Sequence, residues 1–433
     1  MFKTLVNAFK TKEVRVKIFW TLAILLIYRI GCFTPVPGLN ISIVKATMQN
    51  TIDSGNSLLG IMSAVTGGSL SQGTLLALGI VPFINASIIM QLLTMVIPAF
   101  GRWSKEGEEG KKKIGFATRI AAVILAIVQA IGIVLTWSAD GGVTSDLFGS
   151  AVLTTIAVII ILVAGSSLTM WLGEKITALG VGNGTSLIIF IGILSTAGNS
   201  LGAAFGTLGS DWTNIWSILL FLALVLVIFG VIVWMDLSER RIPVQYAKQV
   251  KGNKMYGGQN THIPIRVNAS GVMPIIFASA LLMFPQMIAS FWPTSDFYLW
   301  WSANLGAGSV IYAILMAILI VFFAFFYAQI QFNPDDLAKN IQHYGGTIVG
   351  VRPGKTTADY LRRINNRITL FGAIFLALLS LVPSVLFTAV GGGLGLNSAF
   401  TATGMLIVVS VALEFDKQLE SQLMMKHYKG FLK

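Results

Sequence analysis

Histidine, the side chain that most often serves as acid, base or metal ligand, is rare and scattered in this chain. His262, His343 and His427 are its three histidines, and none has a second ligand at the spacing of a zinc site. The metalloprotease motif H-E-x-x-H is absent, and residues 268–271 (Asn-Ala-Ser-Gly) only approach the G-x-S-G of rhomboid-like proteases. We therefore expect no catalytic site, no metal and no cofactor.

A glycine-rich stretch at residues 180–184 (Gly-Val-Gly-Asn-Gly) resembles a phosphate-binding loop. Such loops follow a β-strand and open a helix, whereas this stretch follows a long apolar run. No Walker motif is present either. The nucleotide interpretation is therefore weak, and energy for any work must come from a partner or from the membrane potential.

The composition excludes a protein folded around a water-soluble core. Of the 433 residues, 55% are hydrophobic and 11% are charged, and the mean hydropathy is +0.78. A helix needs about 20 apolar residues to cross a bilayer. We identify ten such runs, at residues 18–33, 75–99, 114–137, 151–172, 185–196, 215–235, 272–292, 310–330, 368–388 and 398–413. The sequence therefore predicts an all-α polytopic membrane protein with ten transmembrane helices.

The basic residues orient these helices. With the N-terminus inside, all but three of the 30 Lys and Arg residues fall in cytoplasmic segments. Lys45 lies outside, and Arg29 and Arg119 lie within or at the ends of spans. The outside loops carry aspartates instead: Asp53, Asp140, Asp146, Asp211 and Asp296. An even number of spans returns the C-terminus to the cytoplasm, and the net charge of +12 is largely this orientation signal.

Two terminal segments lie outside the spans. Residues 1–17 carry apolar side chains at helical spacing among lysines, which predicts an amphipathic helix on the inner leaflet, with a frayed basic tail as the alternative. Residues 414–433 form a cytosolic tail. The single cysteine, Cys32, excludes an intrachain disulfide and is expected to be a packing residue.

An apolar stretch at residues 58–69 is too short to cross the membrane and ends beyond a glycine pair, Gly67 and Gly68. A short apolar helix is unfavourable in water, and irregular backbone at membrane depth needs protein or water around it. We therefore predict a re-entrant element that lines or blocks a cavity. The alternative is an interfacial helix resting on the outer leaflet.

Two inside loops, residues 236–271 and 331–367, are longer than a connection requires. Both are basic and rich in hydrogen-bonding residues, which favours docking of a cytosolic partner, and a phosphate-rich partner such as ribosomal RNA would be attracted electrostatically. Simple positive-inside bias explains part of the charge but not the length. The candidate contacts are Arg240, Arg241, Tyr246, Lys248, Arg352 and Lys355.

Charge within the spans is scarce, which bears on the class of transport. Ion-coupled transporters place ionisable residues near the midplane, whereas Arg29 and Arg119 lie near span ends. The spans offer Ile, Leu, small residues and uncharged polar groups such as Asn85 and Ser87. A pore lined in this way would exclude ions by dewetting, yet could admit something large and apolar.

Several segments in order resemble the SecY family, the channel-forming subunits of the bacterial protein translocase. The likeness runs from the first span to the tail. It is carried by residues 28–31, 35–38, 77–89, 91–94, 170–177, 182–184, 268–274 and 352–354. The resemblance implies two inverted five-helix halves, at residues 18–200 and 213–413, around a central pore, with an external hinge at residues 201–212.

The resemblance also assigns roles to single residues. The plug of the outer funnel would lie within residues 58–68 and include Leu58, Ile61, Met62, Val65, Gly67 and Gly68. The pore ring would be Ile80, Ile84, Thr185, Ile189, Ile276 and Ile407. A lateral gate toward lipid, between spans two and three and spans seven and eight, would be lined by Asn85, Ser87, Gln91, Ser279 and Phe284.

Thr185 departs from the family, which more often has an aliphatic residue there. Its hydroxyl either makes the ring slightly leakier or bonds back to the preceding helical turn. Isoleucine suits the other positions because an aliphatic collar can close around an extended chain without offering it hydrogen bonds.

The function expected from the resemblance is passage of unfolded secretory polypeptides across the bacterial cytoplasmic membrane, with signal sequences and other apolar segments released sideways into lipid. The implied partners are the membrane subunits SecE and SecG, the ATPase SecA, the ribosome, and preproteins. Two alternatives stay open on the sequence: an ion-coupled secondary transporter of a small solute and an intramembrane protease.

Overall fold

The structure of the protein is a computed structural model. It describes residues 2–53, 62–139, 141–144, 149–206, 214–246, 249–251, 254–256, 261–268, 271–289, 295–305, 309–391 and 402–430. Among the predicted site residues, Leu58, Ile61 and Lys248 lie outside this part of the chain, and the side chain of Phe284 does too.

The described chain is mostly helical. Its helices are α1 (Phe2–Lys10), α2 (Lys12–Phe33), α3 (Ile41–Asp53), α4 (Val81–Val96), α5 (Pro98–Lys105), α6 (Glu108–Ala139), α7 (Ala151–Leu179), α8 (Gly184–Gly206), α9 (Asn214–Leu237), α10 (Met273–Ala289), α11 (Asp296–Asn304), α12 (Val310–Gln331), α13 (Pro334–His343), α14 (Lys355–Gly391) and α15 (Ala402–Gly430). Its strands are β1 (Glu239–Tyr246), β2 (Gln249–Lys251), β3 (Lys254–Tyr256), β4 (Thr261–Arg266) and β5 (Gly346–Ile348).

The helices make this a multi-pass membrane protein. Within the described residues, seven helices are long and apolar enough to cross a bilayer, and the bent pair α4 and α5 makes eight if it is one span. The prediction of an all-helical membrane bundle is confirmed at this level. Two further predicted spans do not meet the criterion alone, because the apolar part of α10 is short and α15 becomes charged from Glu414 onward.

The prediction of one span over residues 75–99 is wrong in detail. The helix begins only at Val81 and ends at Val96, and residues 66–80 form a series of turns. Ile97 is extended (φ −101, ψ 115) because it precedes Pro98, and the next helix leaves at 104°. The turns need glycine, since Gly67, Gly68, Gly73 and Gly79 all have positive φ.

Other helices extend beyond their apolar runs. Helix α14 begins at Lys355, within the predicted second loop, and α15 continues through the predicted tail to Gly430. Helix α8 continues to Gly206, into the predicted hinge. Hydropathy locates the lipid-facing part of a helix, but charged residues do not end the backbone hydrogen bonding.

The two long inside segments fold together. Strand β1 pairs antiparallel with β4 in the first segment and with β5 in the second, which gives the order β4-β1-β5. Ile242, Val244, Ile265 and Ile348 alternate onto one side and pack with Leu361 of α14. The predicted loops therefore form one small packed body.

The N-terminal segment is helical and partly packed on the protein. Ala8 of α1 is fully buried, and it shares a small core with Val14, Val181 and Leu419 of α15. Val6 and Phe9 are 48% and 50% exposed on the opposite side. Helix α1 is thus attached to α15 through one face and leaves an apolar face outward.

Gly165 of α7 provides a test of the packing around the turns. A Cβ added there would lie 2.0 Å from the carbonyl oxygen of Leu75, which is backbone and cannot move aside cheaply. We expect Gly165→Ala to destabilise the purified protein by about 1–3 kcal/mol, the usual cost of overpacking. Thermal unfolding in detergent measures the effect. Gly230→Ala in α9 is the matched control because its Cβ meets nothing within 4 Å, and equal melting temperatures would contradict the packing.

Candidate functional site

A cavity of about 550 Å³ with a mixed polar and apolar lining lies among α8, α9, α10, α12 and α15. Four of its lining residues are charged, namely Asp236, Arg266, Glu414 and Lys417, and serines, asparagines and glutamines line much of the remainder. It reaches the start of the segment that connects β4 to α10. We call this cavity the vestibule.

A second, apolar cavity of about 90 Å³ lies among α4, α8, α10, α12 and α15. Met62 and Val65 line it from the predicted plug, and Ile84 and Asn85 line it from α4. Its remaining lining is Val81, Ile189, Ile276, Ser279, Ala280, Tyr312, Thr403 and Ile407.

Three isoleucines line both cavities. Among the described residues, Ile189 of α8, Ile276 of α10 and Ile407 of α15 are the side chains common to the two linings. On α15, the residues one turn before and one turn after Ile407 line different cavities. Thr403 lines the apolar cavity, and Ser410 lines the vestibule. The three side chains therefore form an aliphatic partition between the vestibule, which has many polar lining residues, and the apolar cavity.

The other predicted ring residues are placed differently. Ile84 lines the apolar cavity only. Ile80 is 2% exposed, packs in a core with α2, α7 and α8, and lines neither cavity. Its position follows from the late start of α4, because Ile80 is the N-cap of that helix and not part of an inward face.

Thr185 lines neither cavity and its hydroxyl is satisfied locally. Its Oγ1 donates to Asn183 Oδ1 at 2.7 Å, and its backbone N–H donates to the same oxygen at 3.1 Å. Its methyl group lies beside Gly173 of α7, where an added Cβ would be 3.4 Å away. Of the two sequence alternatives, the geometry favours local bonding, with Asn183 just before α8 as the acceptor.

The described part of the predicted plug lies against α8. Gly192 permits the approach, since a Cβ there would be 2.2 Å from the carbonyl oxygen of Val65. The hydroxyl of Thr196 donates to the carbonyl oxygen of Ala64 at 3.2 Å. Gly67 and Gly68 then turn the chain with φ of 70° and 83°. The sequence analysis missed Gly192, which a search for small residues on a facing helix would have found.

Arg29 is a second contact that the sequence analysis missed. The sequence places it near the end of the first span, and in the structure its Nη2 donates to Ser195 Oγ of α8. Its Nη1 lies against Gly67 and its guanidinium lies 5.1 Å from the centre of the Phe33 ring. The charge therefore faces the end of the plug segment. Arg119, in contrast, pairs with Glu174 of α7 at 2.8 Å.

The backbone of residues 62–80 is hydrogen-bonded partly within the segment and partly to its neighbours. Short-range bonds such as Gly68 N–H to the Ser63 carbonyl (2.8 Å) and Thr74 N–H to the Ser69 carbonyl (3.3 Å) close the turns. Hydroxyl groups complete the set: Ser69 Oγ donates to the Thr66 carbonyl at 2.8 Å, and Ser166 of α7 donates to the Gly79 carbonyl at 3.2 Å. These bonds supply the partners that non-helical backbone needs among the helices.

The predicted gate residues divide into two groups. Asn85 and Ser279 line the apolar cavity from α4 and α10. Ser87 and Gln91 of α4 line neither cavity, and Gln91 is exposed. Phe284 is a residue of α10.

The predicted docking residues lie on or beside the small sheet. Arg240, Arg352 and Lys355 are exposed. Arg241 is exposed but pairs with Glu239 at 2.7 Å, and Tyr246 is partly buried against the core of the sheet. Four of the six predicted contacts are thus exposed outside the sheet core, and one of these four, Arg241, has an ion pair to a neighbouring residue of its strand.

An acidic residue missed by the sequence analysis joins three elements at the vestibule. Asp236, near the end of α9, accepts a hydrogen bond from Asn268 Nδ2 at Oδ1 and one from Ser410 Oγ at Oδ2, both at 2.6 Å. A lone acidic residue at the inner end of a span is a usable signal for such a site.

The glycine-rich stretch at residues 180–184 is the turn between α7 and α8. The N–H of Val181 donates to Thr21 Oγ1 at 3.1 Å, and that of Gly184 donates to Thr177 Oγ1 at 2.9 Å. Two of the donors that would hold a phosphate are therefore used by threonines. Within the described residues no group of three or more His, Cys, Asp or Glu side chains could hold a metal ion.

The family model described as SecY matches residues 74–415. The chain belongs to the SecY family. Relatives named protein translocase subunit SecY include one from Streptomyces galbus, 42% identical over 447 residues, and one from Mycobacterium tuberculosis, 38% identical over 450 residues, each covering 100% of both chains. These matches confirm the resemblance inferred from the motifs.

Solved structures of SecY and Sec61 channels share the fold. A structure described as a protein conducting channel aligns with a TM-score of 0.67 and 20% identity, over 94% of this chain and 92% of that one. Canine Sec61 in a ribosome-channel complex aligns with a TM-score of 0.61 and 19% identity, over 94% and 92%. These SecY relatives support the chain-wide architecture described above.

Gly192 provides a test of the close approach of the plug segment. Gly192→Ala should push Val65 away, because the clash at 2.2 Å is with a backbone oxygen. We expect the resting ion conductance of vesicles containing the variant to rise several-fold. Gly198→Ala on the same helix meets nothing within 4 Å and is the control. Equal conductance in the two variants would argue against the close contact between Gly192 and Val65.

Proposed function

We propose that this chain is the protein-conducting channel of a bacterial translocase. It passes unfolded secretory polypeptides across the cytoplasmic membrane and releases apolar segments sideways into lipid. Membership of the SecY family supports this role, which is transport and not catalysis. The observation that carries the proposal is the partition of Ile189, Ile276 and Ile407 between the vestibule, with its charged and amide side chains, and the apolar cavity.

Aliphatic side chains suit the partition physically. They offer a translocating chain no hydrogen bonds, so they close around it without holding it. An apolar constriction also resists ions, because water leaves it and an ion cannot take its hydration shell through. Ile84 extends the apolar lining on the outer side, next to Met62 and Val65.

The proposed architecture has ten transmembrane helices in two inverted five-helix halves around this partition. One hydrophobic core is built mainly from α9, α10, α12, α14 and α15, and two others are built mainly from α2 to α8, which supports two halves. Residues 58–68 are the plug, and Met62 and Val65 would block the outer side of the partition. Residues 201–212 would form the hinge.

The proposed lateral gate follows the contact between α4 and α10. Helix α4 packs closely on α6, and α10 packs closely on α12, whereas α4 and α10 make few close backbone contacts among the described residues. Asn85 and Ser279 face the same cavity from the two sides. A signal sequence that parts this seam would exchange water for lipid, which is favourable for about 20 apolar residues.

Movement of the polypeptide requires an external energy source. The proposed partners are the ATPase SecA and the translating ribosome on the cytosolic face, and SecE and SecG in the membrane. The exposed basic side chains of Arg240, Arg352 and Lys355, beside the small sheet, suit an acidic or phosphate-rich surface. The proposed orientation has both termini in the cytoplasm, as the positive-inside rule predicts.

A small-solute secondary transporter and an intramembrane protease are not proposed. Both were alternatives on the sequence alone. Family membership favours neither.

Photocrosslinking tests the conduit. A photoreactive residue at Ile276 or Ile84 should crosslink to a stalled secretory polypeptide, because both side chains line the apolar cavity. The control is the same residue at Leu220 of α9, which is 57% exposed on the outer surface of the bundle. Crosslinks of equal yield at Leu220 and Ile276, or none at Ile276 and Ile84, would exclude this path.

Charge reversal tests the docking surface. Arg352→Glu should lower the rate of secretion by about tenfold, the scale of electrostatic steering, while the protein still inserts into the membrane. Export of a reporter preprotein and the membrane level of the variant are the two measurements. Lys45→Glu is the matched control, since Lys45 is predicted on the opposite side. Normal export by the Arg352→Glu variant would show that Arg352 does not belong to the docking surface.

A further inference from the structure

The carboxylate of Asp236 uses both oxygens to join separate elements. Oδ1 accepts from Asn268, which follows β4, and Oδ2 accepts from Ser410 of α15, both at 2.6 Å. Asp236 lies near the end of α9 and lines the vestibule with both partners. Three chain segments therefore meet at one side chain.

Each partner is close in sequence to an isoleucine of the partition. Ser410 lies three residues after Ile407 on the same helix, so the two side chains share a face. Asn268 is linked to Ile276 by a tight turn and the first turn of α10: the N–H of Gly271 donates to the Asn268 carbonyl at 3.3 Å, and that of Ile276 to the Val272 carbonyl at 3.2 Å. Both bonds of Asp236 are therefore made to residues that are connected through short stretches of chain to isoleucines of the partition.

The bond to Asn268 is difficult to replace. Asn268 is only 7% exposed, and its Oδ1 is buried with no partner among the described residues. Its amide is held through Nδ2 alone, so loss of Asp236 would leave both polar atoms of a buried amide unsatisfied. Hydrogen bonds to a carboxylate are also stronger than those between neutral groups.

We propose that Asp236 is a positioning residue for the constriction. By accepting from Asn268 and Ser410 together, it sets the separation of α10 and α15 at which Ile276 and Ile407 close, and these bonds part when the partition opens. This inference rests on the proposed function. It adds a polar latch on the vestibule side, outside the aliphatic partition and the plug.

Thiol labelling across the partition tests the latch. Met62 lines only the apolar cavity and is 5% exposed, so Met62→Cys in a Cys32→Ala background reports access through the partition. A membrane-impermeant maleimide is added to the vestibule side of sealed vesicles that contain the complete translocase. In the reporter with Asp236 intact, labelling should be slow.

In the same background, Asp236→Ala should accelerate labelling about tenfold, which corresponds to a loss of roughly 1.4 kcal/mol from the closed state. Asp236→Asn should keep the rate within about threefold of the parent, because an amide can accept from Asn268 and donate to Ser410, without the charge. Rescue by the amide separates positioning from a simple requirement for negative charge.

Two further variants keep the test decisive. Ser410→Ala removes one bond and should give an intermediate rate, and adding it to Asp236→Ala should change little, since the two residues act through one bond. Asp335→Ala is the matched control: it removes a carboxylate that pairs with Arg362 at 2.9 Å outside the vestibule. If Asp236→Ala does not accumulate, Ser410→Ala alone carries the test.

Equal labelling rates for Asp236→Ala, Ser410→Ala and Asp335→Ala would overturn the latch. A fast rate in Asp236→Asn equal to that in Asp236→Ala would also overturn it, because the charge and not the geometry would then matter. The crosslink at Ile276 separates this inference from the proposed function. If the polypeptide crosslinks there and labelling is unchanged, only the latch fails.

Discussion

Every backbone N–H and C=O group that lies at membrane depth needs a partner inside the protein, and this requirement shapes the centre of the molecule. Residues 62–80 are not one regular helix, and their polar groups bond both within their own turns and to Thr34, just after α2, and Ser166 and Thr196 of the surrounding helices. With these bonds made, Met62 and Val65 line an apolar cavity. Displacement of this segment would break its bonds to the neighbouring helices, so its position is coupled to theirs.

The central site was largely predictable from the sequence where the residues lie well inside helices. Ile189, Ile276 and Ile407 are predicted ring residues that the structure brings to one partition, with Ile84 beside them. Ile80 and Thr185 line neither cavity. Both lie at the start of a helix, where the capping geometry changes the direction of the side chain. Asp236 was missed because its role depends on Asn268 and Ser410, which are distant in sequence.

The long apolar helices of the fold follow from hydropathy, but the small sheet does not. The runs at residues 151–172, 215–235 and 310–330 each lie within a long helix, since the need for about 20 apolar residues is local. The pairing of β1 with β5 joins Val244 to Ile348, over a separation that no local pattern encodes. The end of helix α4 at Ile97 could be predicted from Pro98, which follows it. The turns before Val81 could not, because they depend on contacts with α7 and α8.

The 29 residues of α15 run without interruption from Ala402, near the partition, to Gly430. At a rise of about 1.5 Å per residue, this helix is roughly 43 Å long. Helix α1 packs against Leu419, about three turns beyond Ile407 on the same helix. A ligand that displaces α1 would therefore act on a partition residue through a single unbroken helix.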